Sequence, residues 1–199
     1  MKLVVDTSVA RTAMPERVDL DKQKACVVAL LAVQANTAIR VAQSDQLMAE
    51  WLKLRPNGQT HASQFALGWL GALRSAGRVV PVAGQRTDVN AAIGSVRLTG
   101  SVQALRNDAH VIATALNADS RCLSRDDKMK QAHLPQLVLH LPAVAELLWV
   151  NPTWSGTVAW IQAGLSDEPS QRVLSATRRA PKQRGRRAAG APGQGDGEG

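Results

Sequence analysis

Short apolar, β-branched runs recur along this chain, and each is separated from the next by a stretch long enough for a helix. The runs are KLVVD near the N-terminus, TAIRVAQ at 37–43, RVVPVA at 78–83, SRCLS at 120–124 and QLVLHL at 136–141. Strands joined through helices cannot form hairpins and must pair in parallel through crossovers. The expected fold is therefore α/β, a three-layer α/β/α sandwich with a mainly parallel central sheet, over about residues 1–150. Pro81 removes a ladder donor, so the third run belongs at a sheet edge or a strand end.

The intervening segments carry helix signals. LDKQKACVVALLAVQAN has the length and regularity of a helix, with Asp19 and Asp21 near its start. Ser44 is placed to cap a helix running to about Leu54, which RPNG stops. Thr60 is placed to cap HASQFALGWLGALRSAG, with Gly77 as the stop. Residues 86–106 predict one or two short helices, and 107–117 another with a Val111, Ile112, Ala115, Leu116 face. Pro142 suits the first turn of a helix over PAVAELLWV. NPTWSGTVAWIQAGL, within 151–170, reads as an accessory amphipathic helix that packs on the domain or on a partner.

Composition limits the rest. Five Trp, one Phe and no Tyr leave Ala, Val and Leu to fill the interior. Cys26 and Cys122 sit in apolar surroundings without metal-ligand spacing and read as reduced core thiols of a cytoplasmic protein. The longest apolar run, ACVVALLAV, is too short to span a membrane. Charge is uneven. Residues 171–199 hold seven Lys/Arg against two Asp/Glu, a surplus of five out of the whole chain's net +8. This segment, rich in Gly, Pro and Arg, predicts a disordered basic tail. The imbalance favours an anionic partner, nucleic acid above all.

Four acids fall where such a fold can gather them. Asp6 closes the first strand, Glu50 lies inside the helix SDQLMAEWLKL, Asp108 opens NDAHVIATAL and Asp126 follows the strand in RCLSRDD. The C-terminal edge of an open α/β sheet is where ligands bind. Clustered carboxylates repel one another unless a cation sits between them, and hard oxygen donors favour Mg²⁺ or Mn²⁺. Asp45 is explained by its place in a first helical turn and Asp88 by capping. Asp127 competes with Asp126, and the Ser-x-Asp spacing from Ser124 favours Asp126. His110 and His133 have no ligand spacing to another His or Cys and read as structural or solvent-facing. Arg125 reads as a solvated loop residue.

The order of these pieces resembles the PIN-domain nucleases, in particular the VapC-like ribonuclease toxins of prokaryotic toxin–antitoxin pairs. The likeness covers about residues 1–148. LVVDTSV looks like the family's first strand, acid and hydroxyl residue, MAEWLKL like its helix-borne Glu, NDAHVIATAL like its third acid, CLSRDDK like its Ser/Thr-x-Asp, and LVLHLPAVAELL like its last strand and closing helix. The resemblance implies a PIN-like domain in which Asp6, Glu50, Asp108 and Asp126 bind one or two Mg²⁺ or Mn²⁺ ions and cut RNA. A divalent ion that activates and orients water removes the need for a protein nucleophile. Thr7, Ser8 or Ser124 would then position a water or a phosphate oxygen. The resemblance also implies a homodimer and a cognate antitoxin protein as inhibitor; the short apolar runs predict no membrane partner.

Two other readings start from the same residues. A haloacid-dehalogenase-like phosphatase also begins with a strand-end Asp and uses a late Asp-Asp pair, but it wants a second Asp where this chain has Ser8. A PIN-fold module that binds RNA or protein without cutting has no need of all four acids.

Overall fold

A computed structural model describes residues 1–14 and 20–174. Among the described residues the five strands are β1 (Lys2–Val5), β2 (Arg40–Gln43), β3 (Val79–Pro81), β4 (Arg121–Leu123) and β5 (Leu148–Val150). They form one sheet in the order β3-β2-β1-β4-β5, and every pairing is parallel. The α/β architecture with a parallel sheet is as expected, and Pro81 does sit on an edge strand. Central strands covered on both faces should be continuously apolar. Accordingly Leu3, Val4 and Val5 are all fully buried, as are Val41, Ala42, Cys122 and Leu123.

Helices α1 (Thr7–Thr12), α2 (Leu20–Ala35), α3 (Asp45–Leu52) and α4 (Gln64–Ser75) make the crossovers that step from β1 to β2 to β3. Helices α5 (Thr87–Ser95), α6 (Thr99–Asn107) and α7 (Ala109–Leu116) carry the chain back from β3 to β4. Right-handed crossovers in opposite directions put these two groups on opposite faces of the sheet. Most contacts agree: α7 lies on β1, β2 and β4, whereas α2 packs with α1, α4 and α9 (Thr157–Gln162); α3, of the first group, also meets α7. The accessory helix thus packs on the domain itself, burying Trp160 and Ile161. Its last carbonyls, on Ile161 and Gln162, accept from the Asn36 side chain at 2.8 and 3.4 Å.

Several local expectations are corrected. QLVLHL is not a strand. Leu134, Leu137 and Val138 are buried at i, i+3, i+4 spacing while Leu139 is 47% exposed, so the apparent alternation does not match burial. The segment is a π-helical turn, Met129–His133, followed by α8 (Leu134–Val138). The helix expected from Pro142 lasts only through a 3₁₀ segment, Pro142–Glu146. The fully buried run that follows it is the last strand, β5, because an unbroken apolar stretch suits a strand covered on both faces. The expected correspondence of LVLHLPAVAELL to a strand and then a helix is therefore reversed in order. Thr60 does not cap α4. It bridges to Leu54, and Ser63 accepts from Ala66 N–H instead. Short α1, which follows Asp6 directly, had no clear signal in the sequence.

At the other end, residues 171–174 lie against the domain rather than in a tail. Arg172 pairs with Leu148, and Val173 is buried with its N–H donating to the Leu147 carbonyl at 3.1 Å. The remaining expected tail, 175–199, and Asp19 lie outside the described residues. Cys26 and Cys122 are buried and unpaired, as anticipated, and burial pushes the Cys26 thiol up to about 12. Among the described residues, no helix is long and apolar enough to cross a membrane.

The turn between α2 and β2 depends on one side chain. The Arg78 guanidinium donates to the carbonyls of Val33, Gln34, Asn36 and Ile39 at 2.6–3.0 Å. Of these, the Val33 and Gln34 carbonyls lie in the last turn of α2, where no helical N–H follows to pair with them. We predict that Arg78→Met lowers stability by about 3 kcal/mol, or roughly 10 °C in Tm, since several charge-assisted bonds are lost together. An unchanged thermal midpoint would mean that water satisfies these carbonyls equally well.

Candidate functional site

In the order β3-β2-β1-β4-β5, the chain leaves β1 in one direction and returns to β4 on its other side. This reversal opens a crevice past the carboxyl ends of β1 and β4. Asp6 is the first residue after β1, and Ser124, Arg125 and Asp126 follow β4. Glu50 reaches the same region from α3 and Asp108 from the junction of α6 and α7.

Asp6 is held on both sides. Its Oδ2 accepts from the Ser8 hydroxyl at 2.5 Å and the Ser124 hydroxyl at 2.7 Å. Each hydroxyl accepts in turn from the backbone after β4, Ser8 from Arg125 N–H at 3.0 Å and Ser124 from Asp126 N–H at 3.1 Å. The two serines therefore spend their protons on Asp6 and tie β1 to the β4 loop. Asp6 stands at the head of α1 without capping it. Burial raises its pKa, against the lowering effect of the two hydroxyls, and the Glu50 charge raises it further.

Asp126 Oδ1 accepts from Met129 N–H at 2.7 Å, and its own carbonyl accepts from the Trp149 indole at 3.2 Å. A core Trp on β5 thus anchors this loop. Asp127 is exposed and accepts from Asn151. Arg125 is half-buried and donates to the Thr12 hydroxyl, so it is not the free loop residue expected.

Asp108 links α6 to α7 and makes no capping hydrogen bond. Capping therefore does not account for it. Its pKa is pushed up to about 7, chiefly by burial and then by the charges of Asp6, Asp126 and Glu50. The four acids named from the sequence thus share one electrostatic field.

His110 corrects the sequence reading. Its Nε2 lies 2.9 Å from Glu50 Oε2. Burial alone would lower the imidazole pKa, but the hydrogen bond and charge of Glu50, with Asp108 and Asp6, raise it. Burial would likewise raise Glu50, and the His110 contact outweighs it and holds Glu50 below the usual carboxylate range. The one available signal was Asp108-x-His110 at a helix start, which puts both residues at the same end of α7. His133 is structural, buried with Nδ1 3.0 Å from the Ser101 hydroxyl. Asp88 is taken up by a bidentate contact with Arg86.

Among the described residues, no group of three or more His, Cys, Asp or Glu side chains is gathered tightly enough to hold a metal ion as the rotamers stand. Asp6, Glu50 and Asp126 each direct an oxygen to a protein donor instead. Two other observations fit a hard divalent cation. Asp108 is raised by burial and then by three like charges, and a cation removes the second cost. The Thr7 hydroxyl is buried without a hydrogen-bond partner. It lies close enough to Glu50 to favour that carboxylate's charge, yet does not reach hydrogen-bond geometry. Orphaned buried hydroxyls are uncommon, and a bound ion or water is one way to supply the missing partner.

No protein-family model and no curated protein matches this sequence. The fold and the acidic centre define a doubly wound α/β protein with four electrostatically interacting carboxylates near its topological switch point.

Proposed function

We propose that this protein is a divalent-metal-dependent endoribonuclease that hydrolyses RNA phosphodiester bonds, acting as the toxin of a toxin–antitoxin pair. The observation that carries the reading is the convergence of four carboxylates, from four separate segments, into one coupled field at the crevice between β1 and β4. Asp6, Glu50, Asp108 and Asp126 would hold Mg²⁺ or Mn²⁺. Such an ion lowers the pKa of water and stabilises charge that develops on a phosphate under attack.

The chain's own residues supply orientation. Ser8 and Ser124 fix Asp6, His110 keeps Glu50 charged, and Trp149 and Met129 N–H fix the Asp126 loop. The net charge of +8 favours a polyanionic substrate. The sequence resemblance supports a cytoplasmic homodimer restrained by an antitoxin. The phosphatase reading has less support, because Ser8 binds Asp6 where a second acid would be needed.

The test is cleavage of a mixed-sequence RNA by the purified protein with Mn²⁺ and with EDTA. Cleavage with Mn²⁺ that disappears in EDTA is expected. A folded protein whose Tm rises with Mn²⁺ but which leaves RNA intact would favour a binding module instead.

A further inference from the structure

A pocket of about 260 Å³ opens beside the acidic centre, between α3, the β3–α5 connection, α5, and the α6–α7 junction. Gln46, Gln85, Asn90 and Arg106 line it, and His110 forms the wall it shares with the acidic centre. The nine residues around it include no Asp or Glu, although His110 in its wall lies 2.9 Å from Glu50. Arg86 also reaches it, but that guanidinium is already engaged by Asp88.

His110 is engaged by Glu50, and four other polar groups are free. Among the described residues, the side chains of Gln46, Gln85, Asn90 and Arg106 make no hydrogen bond or ion pair, although each faces one small space. Gly84 lets the β3–α5 loop approach closely: a Cβ there would stand 2.2 Å from Gln46 Oε1 and 2.8 Å from Ser44 Cβ. The loop and the head of α3 are thus brought together around the pocket, which an added side chain at Gly84 would disturb.

Three carboxamides and one guanidinium form a set of planar forks that both donate and accept. Asn and Gln pair with the N6/N7 edge of adenine, and Arg with the O6/N7 edge of guanine. Both partners are purines. Bases of single-stranded RNA can splay from the stack and present these edges to a protein pocket. We propose that this pocket binds a purine base of single-stranded RNA next to the bond held at the acidic centre, and so sets where the strand is cut. The proposal rests on the ribonuclease reading, and its test separates the two.

The test uses the full chain carrying Asp6→Asn, with Mg²⁺ present, and labelled oligouridylate hexamers with one central A, G, C or U. Fluorescence anisotropy reads the affinities. Hexamers with A or G should bind about tenfold or more tightly than those with C or U. Adding Gln85→Ala and Arg106→Ala should abolish that difference. In parallel, sequencing the ends cut by otherwise wild-type protein with these two substitutions should show the purine preference lost, with the Mn²⁺-induced rise in Tm retained. Equal binding of all four hexamers, or an unchanged cleavage preference in the double variant, would overturn the pocket assignment. Purine-selective binding by a protein that never cuts RNA would keep the pocket and overturn the nuclease reading.

Discussion

Asp6→Asn should reduce Mn²⁺-dependent RNA cleavage by about a thousandfold or more, while the variant melts at or above the wild-type temperature in EDTA. The first part follows if metal-derived stabilisation is worth several kcal/mol, because each 1.36 kcal/mol is about tenfold in rate. The second follows from the surroundings of Asp6. Its carboxylate is raised by burial and by Glu50, so charge there is a burden on the fold. Asn keeps a carbonyl oxygen to accept from Ser8 and from Ser124, whose side chain is fully buried. Cleavage by Asp6→Asn at the wild-type rate would remove Asp6 from the chemistry. A marked fall in Tm would show that Asp6 serves the fold instead. Asp6→Ala is the less informative variant, since it strands two hydroxyls.

The acidic centre should also make stability depend on pH in a direction that divalent cation reverses. Asp108 has its pKa raised from 3.8 to about 7, so the folded protein holds a proton that the unfolded chain releases. Its stabilising contribution is complete below about pH 4 and is lost as pH rises through about 7. His110, also raised, loses its contribution in the same direction above its ordinary value of 6.5. Asp6, raised chiefly by burial, acts in that same direction, whereas Glu50 is lowered, so its contribution is lost on acidification below its ordinary 4.5.

In EDTA, stability should therefore fall between about pH 5 and pH 8, with Asp108 contributing at most about 3 kcal/mol. Asp108→Asn should make that slope shallower, and Mn²⁺ at pH 8 should restore stability to wild type but not to the variant. Thermal melts at several pH values with and without Mn²⁺ provide the measurement. A flat wild-type profile in EDTA would mean that the acids are too well hydrated to repel one another.

Much of this was legible in the chain. Strand-ending Asp6 and Asp126, helix-borne Glu50 and the acid at the head of α7 were each marked by local pattern. What misled was local pattern too. QLVLHL alternates like a strand, yet the core takes up Leu134, Leu137 and Val138 on one helical face and leaves Leu139 outside. The true last strand lay hidden because an apolar run buried on both faces has no periodicity to read. His110 was passed over for lack of a second His or Cys, whereas its partner Glu50 lies 60 residues away.

The sequence by itself determined the parallel α/β class and the identity of the acids, because helix and strand periods and strand-end polarity are local properties. Tertiary structure alone decided the strand order. That order places β4 beside β1, so a topological switch point opens between Asp6 and Asp126. It also decided that the serines face Asp6 rather than solvent, and that His110 steadies Glu50. Those relations join residues up to 118 positions apart. Only the shared packing of the sheet and its crossovers can bring such distant groups within hydrogen-bond reach, and no local sequence pattern encodes it.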